Sequence, residues 1–74
     1  MTSRLPPRRL LTVFDAVLRQ GGVRPAAATL NVSQPAVSQA LRQLEDFLGV
    51  ALLDRGTRPA RLTEAGRLLH TATV

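Results

Sequence analysis

The stretch Ser33-Gln34-Pro35-Ala36-Val37-Ser38-Gln39-Ala40-Leu41-Arg42-Gln43-Leu44-Glu45 constrains this chain more than any other. Ser33 is a residue type that caps a helix by accepting a backbone N–H of the first turn, and Pro35 stands where a missing N–H costs nothing. From there Val37, Leu41, Leu44 and Leu48 recur at helical spacing in one apolar stripe, which Ala40 and Phe47 broaden. The pattern predicts a helix over 34–48 with that stripe buried. Pro35, Ser38, Gln39 and Arg42 fall on the other side, with Gln34 at their edge. Hydroxyl, amide and guanidinium groups are the side-chain types that pair with base edges in a DNA major groove. For the stripe alone, an ordinary amphipathic helix with a solvated polar side is the simpler explanation. Such helices, however, usually carry Lys and Glu outside rather than Ser and Gln in successive turns.

What precedes the stretch shifts the balance. Ala26-Ala27-Ala28-Thr29-Leu30 reads as a short helical segment, and in Asn31-Val32-Ser33 the asparagine tolerates the left-handed conformation that ends a helix. Two helices joined by so short a turn form a helix-turn-helix. Pro25 suits the first turn of the earlier helix, expected near 25–30, and its alanines allow close packing on the helix that follows. Arg24, just ahead, is placed to meet either a phosphate or solvent. Further upstream, Leu10, Phe14 and Val17, supported by Leu11, Val13 and Leu18, predict a core helix over 8–20 that Gly21-Gly22 terminates. Arg8 and Arg9 in its first turn are weaker candidates for a phosphate contact.

After Leu48, Gly49 ends the third helix, and Val50-Ala51-Leu52-Leu53 reads as a short strand or an apolar connector. Gly56-Thr57-Arg58-Pro59 is a turn and Ala60-Arg61-Leu62 a returning strand, so a two-stranded wing is expected over 50–62. Charge now matters: ten arginines, with no lysine, stand against five acidic residues for a net charge of +5. Arg55, Arg58 and Arg61 cluster on the wing. They are either a solvated basic hairpin or contacts to phosphate and to a narrow minor groove, with Arg58 at the tip beside Pro59 best placed to enter it. Thr63 is a good N-cap for a last helix over 63–74, on which Ala65, Leu68, Leu69 and Ala72 form a stripe.

Ala26-Ala27, Leu30, Val32-Ser33-Gln34-Pro35-Ala36-Val37-Ser38, Leu44-Glu45, Leu48-Gly49, Leu52, Arg55, Leu62-Thr63 and Ala65-Gly66 follow a known order and spacing. Over roughly Leu10 to Leu69, the chain resembles the N-terminal DNA-binding domain of LysR-type bacterial transcriptional regulators. The resemblance implies transcriptional regulation on double-stranded DNA, with helix 34–48 in the major groove and the wing on the flanking minor groove or backbone. It also implies that residues 62–74 begin a linker helix that pairs with its twin in a homodimer. That linker would lead to an effector-sensing domain, absent here, through which a small molecule acts. Three departures stand out. Gly22-Val23-Arg24 replaces the family's Ser-Phe-Thr or Ser-Phe-Ser, so that Arg24 stands where a capping hydroxyl is expected. Leu53 replaces a Phe, and Ala40 stands where a polar residue is frequent.

Little in the chain points to catalysis. His70 is the sole histidine and there is no cysteine, so neither a metal cage nor a thiol nucleophile is expected. Glu45 and Asp46 are adjacent and diverge on a helix, which rules out an acid/base pair; Glu45 is expected to hold an arginine such as Arg55 or to cap a neighbouring helix. The glycines match no phosphate loop, no cofactor is implied, and the apolar runs are too short to span a membrane. Without a secretory pattern at Met1–Pro7, a cytoplasmic location is expected. The expected fold is therefore mainly α: one winged helix-turn-helix domain over 1–74, a three-helix core with a two-stranded wing and the start of a linker helix. Gln34, Pro35, Ser38, Gln39 and Arg42 are the expected base readers. Arg24, Ser33, Arg55, Arg58 and Arg61 are expected on the backbone or minor groove. A winged-helix protein-interaction module is the alternative, distinguished by whether duplex DNA retains the chain in a salt-dependent way.

Overall fold

A computed structural model describes residues 5–54, 56 and 61–73. Helix α1 (Arg8–Gln20) buries Leu10, Phe14, Ala16 and Val17, the stripe read from the sequence. Gly21 ends it in the left-handed conformation, φ 83°, and the Gly21 and Gly22 N–H groups both reach Val17 O. That pairing satisfies a carbonyl which the helix end would otherwise leave open.

Helix α2 (Val23–Leu30) starts earlier than the predicted 25–30. Its N-cap is Gly22, in extended backbone with no side chain to cap the first turn, so Arg24 lies inside the helix rather than ahead of it. The hydroxyl missing from this chain is accordingly missing at Gly22, not at Arg24. Ala26 and Ala27 are buried, but Ala28 is exposed and takes no part in the packing expected of it. Asn31 closes α2 with φ 60°, the non-glycine residue in the left-handed region among those described. Its N–H reaches Ala28 O at 3.2 Å and the Val32 N–H reaches Ala27 O at 3.0 Å, fixing the turn.

Helix α3 (Gln34–Leu48) begins where the sequence places it, with the Ala36 N–H donating to Ser33 Oγ at 3.1 Å. Val37, Ala40, Leu41 and Leu44 are buried, Phe47 and Leu48 only half so. Helices α1, α2 and α3 pack on one another around Phe14, Val37, Leu41 and Leu44, and Leu52 closes the core from the following connector.

Among the described residues the wing's first strand begins at Leu53 rather than at residue 50. β1 (Leu53–Asp54) pairs antiparallel with β2 (Arg61–Leu62), Leu53 opposite Leu62 and Asp54 opposite Arg61, while Val50 and Ala51 are exposed connector. Helix α4 (Glu64–Thr73) follows. Thr63 caps it: its Oγ1 accepts the Gly66 N–H at 3.1 Å and donates to Ala51 O at 2.6 Å, while its own N–H donates to Leu52 O at 2.9 Å. Gly66 permits this closeness, since a Cβ there would stand 2.2 Å from Leu52 O. The α4 stripe is only partly covered, with Ala65 and Leu69 half-buried and Leu68 67% exposed.

Candidate nucleic-acid interface

Because Val37, Leu41 and Leu44 anchor one side of α3 in the core, the opposite side is forced outward. Gln34, Pro35, Gln39 and Arg42 are exposed there, and Ser38 sits half-buried at the edge of the same face. The sequence therefore brings its five expected base readers onto one helix surface. Two further exposed residues share that surface and were missed: Gln43, one turn beyond Gln39, and Asp46, one turn beyond Arg42. Helical spacing alone would have found both.

The expected backbone contacts are more scattered. Ser33 is exposed at the head of α3; its oxygen accepts the capping N–H, which leaves the hydroxyl proton free to donate outward. Arg24 is exposed in the first turn of α2, and Arg61 is exposed on β2. Arg55 and Arg58 lie outside the described residues. Glu45 Oε2 accepts the backbone N–H groups of Leu52 at 2.8 Å and Leu53 at 3.3 Å, in the connector that follows α3 rather than at a helix end. The carboxylate thus ties the middle of α3 to the start of the wing. The Arg55 pairing falls outside the described residues.

Among the described residues, Arg19 pairs with Asp15 at 2.7 Å, one turn apart on α1. Arg8, Arg9, Arg24, Arg42 and Arg61 have no carboxylate within ion-pair distance among those residues. Arg9 instead donates from Nη2 to Gln43 Oε1 at 3.2 Å, joining the first turn of α1 to the exposed face of α3. Beside that bridge runs an open groove of about 540 Å³ lined by Arg8, Arg9, Val13, Val32, Ala36 and Ala40 among others. The described surface offers outward hydrogen-bonding side chains on the exposed side of α3, with guanidinium groups on neighbouring elements that have no ion-pair partner among the described residues. Such a surface complements a grooved polyanion. No group of three or more potential metal ligands occurs among the described residues.

Comparison with known proteins agrees with this geometry. Residues 8–67 match the model of the bacterial regulatory helix-turn-helix proteins of the lysR family. The glycine cleavage system transcriptional activator of Escherichia coli K12 is 48% identical over 67 residues, 90% of this chain but 22% of that protein. The chain thus spans about a fifth of the length of this curated relative. A LysR-family transcriptional regulator from Eggerthella lenta superposes with a TM-score of 0.85 at 37% identity, covering 92% of this chain and 97% of the other. The BenM_DBD/catB site 1 DNA complex superposes with a TM-score of 0.86 at 34% identity, covering 90% and 72%.

Proposed function

Because the chain belongs to the LysR family of bacterial regulatory helix-turn-helix proteins, we propose that it binds double-stranded DNA in a sequence-specific way and thereby controls transcription. The observation that carries the proposal is the exposed face of α3, where amide and guanidinium groups project from a helix whose other side is locked in the core. Phosphates attract the net charge of +5 and set the approach. Once α3 is in the major groove, the Gln34 and Gln39 amides match the N6 and N7 edge of adenine and the Arg42 guanidinium matches the O6 and N7 edge of guanine. Ser38 hydrogen-bonds a base edge, and Pro35 offers an apolar contact to a thymine methyl. Arg24, Ser33 and Arg61 fix the register on phosphates, which carries no sequence information itself. The wing arginines, Arg58 among them, contact the flank.

The exposed Leu68 on α4 supports pairing of two copies through that helix, which would place two recognition helices on half-sites roughly 34–36 Å apart. The role is one of binding rather than catalysis, exercised in the bacterial cytoplasm. Selection of bound sequences from a random duplex pool, followed by affinity measurements across a salt series, tests the proposal. A recurrent motif is expected, with affinity falling by orders of magnitude between low and moderately high salt. An unenriched pool with salt-insensitive affinity would contradict it.

A further inference from the structure

We infer that Arg9, held in position by Gln43, is a second anchor on the sugar–phosphate backbone, on the flank of α3 opposite the wing; this extends the DNA-binding reading and rests on it. Residues two apart on a helix lie about 200° apart around its axis. Glu45, which holds the wing, and Gln43, which holds the first turn of α1, therefore lie on opposite flanks of α3. Gln39 and Arg42 project between them. A major groove is bordered by one phosphate backbone on each side, roughly 12 Å apart, so a helix inserted in it meets a strand along each flank. One flank has the wing and Arg61. The other has Arg9, with Arg8 beside it.

The hydrogen bond itself explains why Arg9 suits this position. Its acceptor is a neutral amide oxygen at 3.2 Å, which orients the guanidinium without cancelling its charge and leaves most of its five N–H donors available. Arg19, on the same helix, is by contrast neutralised by Asp15. Both Arg9 and Gln43 are exposed, so their contact excludes little water and buries little surface. Nor does the first turn of α1 benefit from its arginines: it has no acidic residue and no side-chain cap, and cations at that end of a helix are mildly destabilising. A guanidinium already aimed past α3 loses less conformational freedom on meeting a phosphate, which is where the arrangement gains.

The test uses Arg9→Ala, Gln43→Ala and their combination, with Arg42→Ala alongside, on a selected and an unrelated duplex across a salt series. Arg9→Ala is expected to weaken both duplexes by the same factor, about five- to tenfold, and to reduce the salt slope by about one. Gln43→Ala leaves the charge in place, so a loss of about two- to threefold with an unchanged slope is expected, and none in the Arg9→Ala background. Wild-type affinity and slope for Arg9→Ala, with Arg42→Ala still weakened, would overturn the inference and leave the DNA reading standing. A loss for Gln43→Ala confined to the selected duplex and persisting without Arg9 would make Gln43 a base reader, which also overturns it. If the unaltered chain binds neither duplex in a salt-dependent way, the DNA reading itself fails.

Discussion

The helix-turn-helix and the wing are held by different kinds of contact. Between α2 and α3 the hydrogen bonds that fix the turn among the described residues are local: Asn31 and Val32 return N–H groups to Ala28 and Ala27, and Ser33 caps three residues ahead. At the wing the fixing bonds join residues seven to twelve apart. Glu45 on α3 accepts from Leu52 and Leu53, Thr63 reaches back to Ala51 and Leu52, and Gly66 lies against the Leu52 carbonyl. The turn that presents α3 is thus set by short-range signals that form with the helices themselves. The placement of the wing depends on a few bonds from farther along the chain that converge on Ala51, Leu52 and Leu53. Changes at that convergence should loosen the wing while sparing α3.

The largest effect is expected at Gly66. An alanine methyl would meet the Leu52 carbonyl oxygen at 2.2 Å, backbone that cannot rotate away, so α4 must shift and the Thr63 bonds with it. Gly66→Ala should cost about 3 kcal/mol, measured by urea unfolding. A loss below 0.5 kcal/mol, roughly that of a surface change, would mean that the wing tolerates displacement and that the contrast is overstated. Next comes Glu45→Ala, which leaves two N–H groups without their acceptor and should cost about 1.5–3 kcal/mol. Hydrogen exchange should quicken at Leu52 and Leu53 while the α3 interior stays protected; equal quickening in both would break the comparison. The smallest effect is on the local side. Gly22 is extended, and an added Cβ would meet Pro25 Cδ at an ordinary 3.7 Å. Gly22→Ser should therefore supply the missing cap and raise stability by a few tenths of a kcal/mol, visible as a small rise in Tm. A fall would show that α2 does not begin at Val23.

The same division explains what was legible in the sequence. Ser33, Asn31, Gly21 and Gly49 act on neighbours within a turn or so, and their roles follow from residue type and spacing. The bonds that Glu45 accepts from Leu52 and Leu53 were not legible because those donors lie seven and eight residues on, in a connector whose path the pattern does not define. The bond between Arg9 and Gln43 joins residues thirty-four apart, and neither residue type announces the other. The start of α2 was misplaced because Pro25 is a strong helix-start signal, whereas Gly22 caps without a side chain. Gly66 carries no local signal at all, since its need is set by the Leu52 carbonyl. For the candidate interface, the exposed face of α3, Gln43 included, follows from periodicity, while the link from Gln43 to Arg9 on α1 required the packing of α1 on α3.

The central claim is that the exposed side of α3 reads bases rather than merely adding polarity. The most direct measurement is the affinity of Gln39→Ala, relative to the unaltered chain, on a selected duplex and on one of scrambled sequence at the same salt. Gln39 is exposed in the middle of the reading face, has no structural hydrogen bond among the described residues, and carries no charge. Its loss should cost about 1–3 kcal/mol on the selected duplex and close to nothing on the scrambled one. An equal loss on both, or no loss on either, would contradict the account.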